Sequence, residues 1–313
     1  MEIALLFGVF FLLLLLGVPV AYALAAAAVA TVLYLDLPAI LAVQQFAAGS
    51  GAVSLIAIPL FIFTGELMLR GGISERLINL AAAMVGHIRG GLGQVNVLSN
   101  LFFGGVSGSA IADVSAVGGA MIPQMVKRGF DRDFAVNISI SAALVALLEP
   151  PSLNLILDAA AAGGGISIID LFAAGIVPAL MMTGAMMLTG WIIARKRGYA
   201  VEAFPGMREL LVRAVAAAPG LALVLLIFFG IRSGVFTAVE SAAVAVVYAL
   251  LITVLVYRSL RGAALLGAVM HAARTTGSIL FVIAAAGLFG WLLAFLEVPA
   301  AAVALLEGIA TEG

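Results

Sequence analysis

Apolar residues run almost end to end along this chain, broken only by short charged knots, and that pattern leaves few folds open. Of its 313 residues 65% are hydrophobic and only 10% charged, and mean hydropathy is +1.26. Soluble domains carry about a quarter charged residues, so a water-soluble fold is excluded. A hydrocarbon layer about 30 Å thick takes about 20 apolar residues per helix, and stretches of that length recur along the row. The expected class is an all-α polytopic membrane protein with about seven or eight spans, some of them broken.

The absence of cysteine removes disulfides and thiolate metal sites. Net charge is −1, with no basic run long enough for nucleic acid, so the lipid bilayer is the first partner. Residues 1–35 lack a basic leader and a small-residue cleavage site, and are expected to stay as helices.

The first span covers 3–16 and stops at Gly17-Val18-Pro19; a second covers 20–35. An amphipathic piece at 39–49 leads to a third span at 53–69 and a short helix at 73–87. Residues 93–126 are apolar but rich in Gly and Ser at their middle, which suits a re-entrant hairpin. A second apolar stretch, 134–162, is interrupted at Glu149-Pro150-Pro151-Ser152 and reads as a broken helix. Further spans are expected at 171–194, 219–231, 236–257 and 279–296, with a polar loop at 195–213 and an amphipathic connector at 258–274.

Basic residues test the orientation, because cytoplasmic loops collect Lys and Arg. With the N-terminus outside and 93–126 entering and leaving on one side, Arg70, Arg76, Arg89, Lys127, Arg128 and Arg132 fall together inside. The next inside turns hold the basic residues at 195–213 and 258–274, and only Arg232 falls outside. A single crossing at 93–126 would scatter them.

A faint repeat aligns 12–34 with 229–248: an apolar span, a Gly-Val break, then an Ala/Val-rich span ending in Tyr. Starting on opposite sides, the copies would be inverted, as in many secondary transporters.

The densest intramembrane polar cluster runs from Asn100 through Ser107, Gly108, Ser109 and Ala110 to Asp113. An unwound Gly/Ser turn at membrane depth persists only inside protein or along a watery cavity. Its carbonyls, hydroxyls and carboxylate are hard oxygen ligands suited to Na⁺, with Ser107 and Ser109 the candidate metal ligands, while helix N-termini offer N–H groups to an anionic substrate. The plainer alternative is close helix packing through small residues.

The second cluster is Glu149, Pro150, Pro151, Ser152 and Asn154, with Asn137, Ser139 and Ser141 before it and Asp158 after it. Two prolines strip N–H donors and leave upstream carbonyls for a cation, unless the site is a simple kink. Together the two breaks read as one midplane ion and substrate site. Carboxylates within spans are functional candidates, Asp113 and Glu149 foremost. Glu66 lies one turn from Arg70 and reads as a structural pair, and Glu240 as a helix cap or brace. His87 and His271 read as interfacial side chains. Gly105-Val106-Ser107-Gly108 matches the G-x-S-G pattern of rhomboid-like intramembrane proteases, but a serine nucleophile needs a nearby base and no histidine lies deep in a span. No catalytic residue is therefore assigned.

Several motifs in order resemble the large permease subunit of the tripartite ATP-independent periplasmic (TRAP) transporters, within the ion-transporter superfamily. They are Ile58-Pro59-Leu60-Phe61 with Thr64-Gly65-Glu66, the run from Val106 to Asp113, and Met121-Ile122-Pro123 leading to Lys127-Arg128-Gly129-Phe130. Further on come Glu149-Pro150-Pro151-Ser152, Ala162-Gly163-Gly164 before Asp170-Leu171-Phe172, Ala174-Gly175-Ile176-Val177-Pro178, and Gly234-Val235-Phe236-Thr237 with Glu240.

The resemblance implies a multi-pass protein of the bacterial cell inner membrane that is no enzyme. It would take up a small organic acid, such as a sialic acid, a C4-dicarboxylate or a keto acid, with Na⁺ as the coupling ion and no other cofactor. A periplasmic substrate-binding protein would deliver the acid, and a small four-helix membrane subunit would accompany the permease. Each inverted repeat would supply one hairpin and one broken helix to an elevator-type transport domain. Ser107 to Ala110 would be the hairpin tip, and Pro150 to Asn154 the break facing it. On that scheme 1–195 form the first repeat, 196–216 a cytoplasmic connector and 217–313 an incomplete second repeat. Family members continue well beyond the point where this sequence stops, so the expectation is a C-terminally truncated chain lacking the second hairpin. Its alternative reading is a non-transporting membrane scaffold or assembly fragment.

Overall fold

The computed structural model describes residues 1–162, 165–199, 201, 203–301 and 303. Positions 163, 164, 200, 202, 302 and 304–313, parts of the motif, connector and tail named above, lie outside them. Among the described residues every regular element is helical. Among the described residues five helices are long and apolar enough to cross a membrane: Val53–Arg70, Ile168–Arg197, Met207–Arg232, Ala238–Val256 and Ala263–Phe295. The apolar helices Glu2–Leu15, Val20–Tyr34 and Ala39–Gly49 are shorter.

The chain divides into two compact units, 1–53 with 274–313, and 54–273. The first contains α1 (Glu2–Leu15), α2 (Val20–Tyr34) and α3 (Ala39–Gly49). Gly17, at φ 79°, makes the left-handed turn that separates α1 from α2. Leu6, Ala27, Ala28 and Val32 pack with Leu288, Phe289 and Leu292. The Phe289 ring meets Phe7 edge-on at 5.9 Å.

The second unit holds α4 (Ala57–Arg70), α5 (Ile73–Val85), α6 (Gly91–Ser107), α7 (Ala110–Asp113), α8 (Gly119–Lys127), α9 (Arg132–Ala143) and α10 (Leu153–Ala161). Then come α11 (Ile168–Arg197), α12 (Met207–Arg232) and α13 (Ala238–Leu250). Helix α6 is its hub: residues 91–100 are all buried, and α4, α5, α9 and α11 pack around it. A helix buried all round is apolar in the ordinary case, yet α6 carries Gln94, Asn96, Ser99 and Asn100 inward. Those groups need partners within the protein, which makes α6 the natural bearer of a polar site.

The two interruptions expected from sequence are present. α6 ends at Ser107 and the chain restarts at α7, continuing through a π-helical turn (Val114–Gly118) into α8. α9 tightens into a 3₁₀ turn (Leu144–Leu147), loses helical form, and resumes at α10. Elsewhere helices extend further than expected. The connector 258–274 and the span 279–296 merge in one helix, α14 (Ala263–Phe295), and the span 219–231 begins already at Met207. Charged residues alone do not stop a helix. Between Ala263 and Ile279 no proline removes an N–H, so the backbone ladder runs on.

Candidate functional site

The hairpin tip is built by glycine and serine. Gly108 takes φ 57°, a left-handed conformation that ends α6, and its N–H donates to the Gly104 carbonyl at 2.9 Å. Ser109 is extended, and its Oγ accepts the Ala112 N–H at 3.4 Å, so the helix restarts with Ala110 as its first residue. The second break follows the same logic. Pro150 and Pro151 supply no N–H, and Ser152 then caps α10, accepting the Leu155 N–H at 3.4 Å. Its hydroxyl donates to the Leu147 carbonyl at 2.7 Å, closing the end left by the 3₁₀ turn.

The breaks touch. The Gly108 carbonyl accepts the Leu153 N–H at 3.2 Å. A Cβ at Gly108 would collide with the Pro151 carbonyl oxygen and lie 3.1 Å from the Leu153 nitrogen. Only glycine permits both the turn and this approach.

Two carboxylates gather against the helix just before the tip. The Ser107 hydroxyl donates to Asp113 Oδ1, and the Ser109 N–H donates to Ser107 Oγ at 3.3 Å. Asp113 is fully buried, and its Oδ2 has no partner. Glu149 Oε2 is likewise buried without one. A Cβ at Gly104 would sit 3.2 Å from Asp113 Oδ2, and one at Gly105 2.7 Å from Glu149 Oε1. The glycine pair thus leaves room for both acids, and no Lys, Arg or His forms an ion pair with either among the described residues. No main-chain N–H among the described residues donates to the carbonyls of Glu149, Pro150 or Pro151.

One turn before Gly104, fully buried Asn100 donates through Nδ2 to Asn96 O and Asn96 Oδ1, both at 2.8 Å, and leaves its own Oδ1 unpartnered. Asn96 donates to Ser139 Oγ at 2.5 Å, and the Ser139 hydroxyl passes on to the Ala135 carbonyl at 2.7 Å. Asn100 and Ser139 are candidates from the sequence, and Asn96, which joins them, is not. The four-residue spacing of Asn96 and Asn100 on a helix with a Gly/Ser terminus was the available signal.

Of the sequence candidates, Asn100, Ser107, Gly108, Ser109, Ala110, Asp113, Glu149, Pro150, Pro151 and Ser152 lie at or beside the two breaks. Asn154 follows Leu153 in the first turn of α10 with its side chain exposed, and Asp158, one turn on, is exposed too. Glu66 pairs with Arg70 at 2.9 Å, and Glu240 caps α13 with Thr237, as the sequence suggested.

The atoms at the breaks are oxygens, hard donors for a hard cation. Among the described residues no three His, Cys, Asp or Glu side chains gather as a metal-binding group. A protease reading fares poorly too. Ser107 gives its hydrogen to Asp113, His271 Nε2 lies 3.3 Å from Glu66, and the His87 ring meets Phe204 at 5.0 Å.

Residues 7–312 match the family described as tripartite ATP-independent periplasmic transporter, DctM component. The 2,3-diketo-L-gulonate TRAP transporter large permease protein YiaN of Escherichia coli is 35% identical over 293 residues, covering 93% of this chain and 68% of that protein. The C4-dicarboxylate large permease DctM of Rhodobacter capsulatus is 34% identical, over 96% of this chain and 71% of its own length. The sialic acid large permease SiaM of Vibrio cholerae is 34% identical over 92% and 67%. These relatives are permeases rather than enzymes, and a match that runs through both helix breaks leaves one assignment: the chain belongs to the large permeases of the tripartite ATP-independent periplasmic transporters.

Proposed function

We propose that this permease takes up a small organic acid across the bacterial inner membrane, driven by Na⁺ bound where the two helix breaks meet. The observation that carries this reading is the Gly108–Leu153 contact, with unpartnered carboxylate oxygens of Asp113 and Glu149 against the last turn of α6 and the unpartnered amide oxygen of Asn100 one turn further back. Buried oxygens without donors are costly in an apolar surround, and a cation relieves that cost. Ser107 and Ser109 would supply hydroxyl oxygens and Asp113 the charge. The relatives' names favour an organic acid, since they cover a diketo-gulonate, C4-dicarboxylates and a sialic acid. A small membrane subunit and a periplasmic binding protein are the expected partners of such a permease.

The test is uptake in proteoliposomes holding this chain with its small subunit, a cognate binding protein being supplied outside. Uptake of a labelled acid should follow an imposed Na⁺ gradient and stop when K⁺ replaces Na⁺. Equal uptake under both ions would remove Na⁺ coupling.

A further inference from the structure

The ends of three apolar helices come together in the second unit. Just past the span Ala238–Val256, the Tyr257 hydroxyl donates to the Ala216 carbonyl of α12 at 3.0 Å, and the Ser259 hydroxyl donates to the Gly71 carbonyl at the end of α4 at 2.7 Å. Arg70, Arg213 and Arg258 lie at these ends, as basic residues do where headgroups meet hydrocarbon. A cleft of about 300 Å³ opens here between α5 and α12, lined by Arg76, Asn79, Glu209, Val212, Arg213 and Ala216.

The charged groups of the lining differ in what they are bonded to. Glu209 is taken up by Arg213 at 2.7 Å, and Arg213 also reaches the Asn79 carbonyl at 3.3 Å, so that pair is a neutral wall. Arg76 forms no ion pair among the described residues. Its Nη1 donates to the Gly72 carbonyl at 2.7 Å, and its guanidinium carbon lies 3.6 Å from the centre of the Tyr257 ring. Gly72, at φ 75°, makes room for it, since a Cβ there would lie 3.1 Å from that nitrogen. A guanidinium carries five N–H donors, so a charge held in this way keeps donors for an anion. Asn79, three residues on along the same face of α5, adds an amide to the cleft. The rest of the lining is apolar: Val212 and Ala216 stand one turn apart on α12, and Val215 next to them is 74% exposed. A soluble anion gains nothing from such a surface, whereas an acyl chain is at home on it.

We propose that this cleft holds the headgroup of an anionic phospholipid, with Arg76 taking the phosphate, Asn79 beside it, and the acyl chains lying along the exposed apolar surface of α12. Basic pockets between membrane-spanning helices hold such headgroups. The site shares no residue with the helix breaks and does not depend on the coupling ion.

The sequence has no cysteine, so a single label can be placed at will. Val215→Cys carries a bimane fluorophore beside the cleft, and Phe229→Cys carries one at an exposed position toward the other end of α12 as the control. Each labelled chain is placed in phosphatidylcholine nanodiscs with rising fractions of brominated phosphatidylglycerol or brominated phosphatidylcholine, and quenching is read. Phosphatidylglycerol should half-quench the label beside the cleft at the lower fraction, and the two lipids should quench the control alike. In Arg76→Gln the advantage of phosphatidylglycerol should fall about fivefold, the loss of one basic group at a membrane surface. Equal quenching by both lipids beside the cleft, or an advantage unchanged in Arg76→Gln, overturns the proposal. The comparison of lipids at the two labels needs no arginine variant, so it decides the matter even if Arg76→Gln fails to fold. Glycerol phosphate in excess should leave the quenching as it is. Relief of quenching would make this a site for a soluble anion and overturn the assignment to lipid.

Discussion

The carbonyl of Gly108 accepts the main-chain N–H of Leu153 at 3.2 Å, so the tip of the hairpin and the restart of the broken helix are joined by backbone alone. No side chain is needed to bring the breaks together.

Gly108→Ala should break that junction. A left-handed residue with a Cβ costs about 1–2 kcal/mol, and the new methyl would also meet the Pro151 carbonyl. Uptake should be lost and the thermal midpoint of the detergent-purified protein lowered. Gly119→Ala makes the paired control: it lies in α8 with nothing within 4 Å of its Cβ position, and should be neutral or stabilising by up to about 1 kcal/mol.

Ser107→Ala removes the one hydroxyl that donates to Asp113. If Ser107 is a cation ligand, radioactive sodium binding should weaken about tenfold, the scale of one hydrogen bond to a charged group. Binding unchanged within twofold would take Ser107 out of the ion site.

Asn96→Ala should destabilise more than its size suggests. It strips Asn100 Nδ2 of its side-chain acceptor and deprives Ser139 of a donor inside the buried hub helix. Leaving buried polar groups unmet costs about 1–3 kcal/mol. Asn96→Ala with Ser139→Ala should recover part of that loss, which a double-mutant cycle in denaturation would read.

At the water-exposed end of α11, the Tyr199 hydroxyl and then Arg197 hold the Asp131 carboxyl below its ordinary value of 3.8, and Arg197 does the same to Asp133. Arg197 spans both acids at 2.6 and 3.2 Å. A lowered carboxyl pKa contributes stability above the unfolded value and loses it as pH falls through the folded one. The clasp should therefore stay closed from pH 8 to pH 5 and open only below about pH 4. Amide exchange at 130–134 and 197–199 would follow it. Exchange that rises between pH 7 and pH 5 would contradict the assignment.

Both breaks were legible in the sequence because their causes are local. Pro150-Pro151 removes donors, and the Gly108-Ser109 pair supplies a left-handed stop followed by a cap. Gly17 and Gly234 mark matching turns for the same reason, at φ 79° and 71°. Asn100 and Ser139 stand out in the sequence singly, but the Asn96 side chain that joins them does not, because the pairing of Asn96 with Ser139 crosses between helices. Helices α12 and α14 run through the charged residues that flank the apolar spans 219–231 and 279–296. Helix ends are set by caps, turns and missing N–H groups, and Arg274 is none of these.

Glu240 shows how a carboxylate inside an apolar segment can be accounted for without function. Its Oε2 accepts the Thr237 N–H at 2.8 Å and the Thr237 hydroxyl at 2.9 Å, while the Glu240 N–H donates back to Thr237 Oγ1 at 3.3 Å. This reciprocal box satisfies donors at the start of α13 that would otherwise be orphaned. Thr237→Ala should lower stability by about 1 kcal/mol. Glu240→Gln keeps an acceptor in place and should have the smaller effect. Neither substitution should alter Na⁺ affinity, because neither residue touches the breaks. A tenfold fall in Na⁺ affinity for Glu240→Gln with stability unchanged would move this carboxylate from the frame of the helix into the ion path.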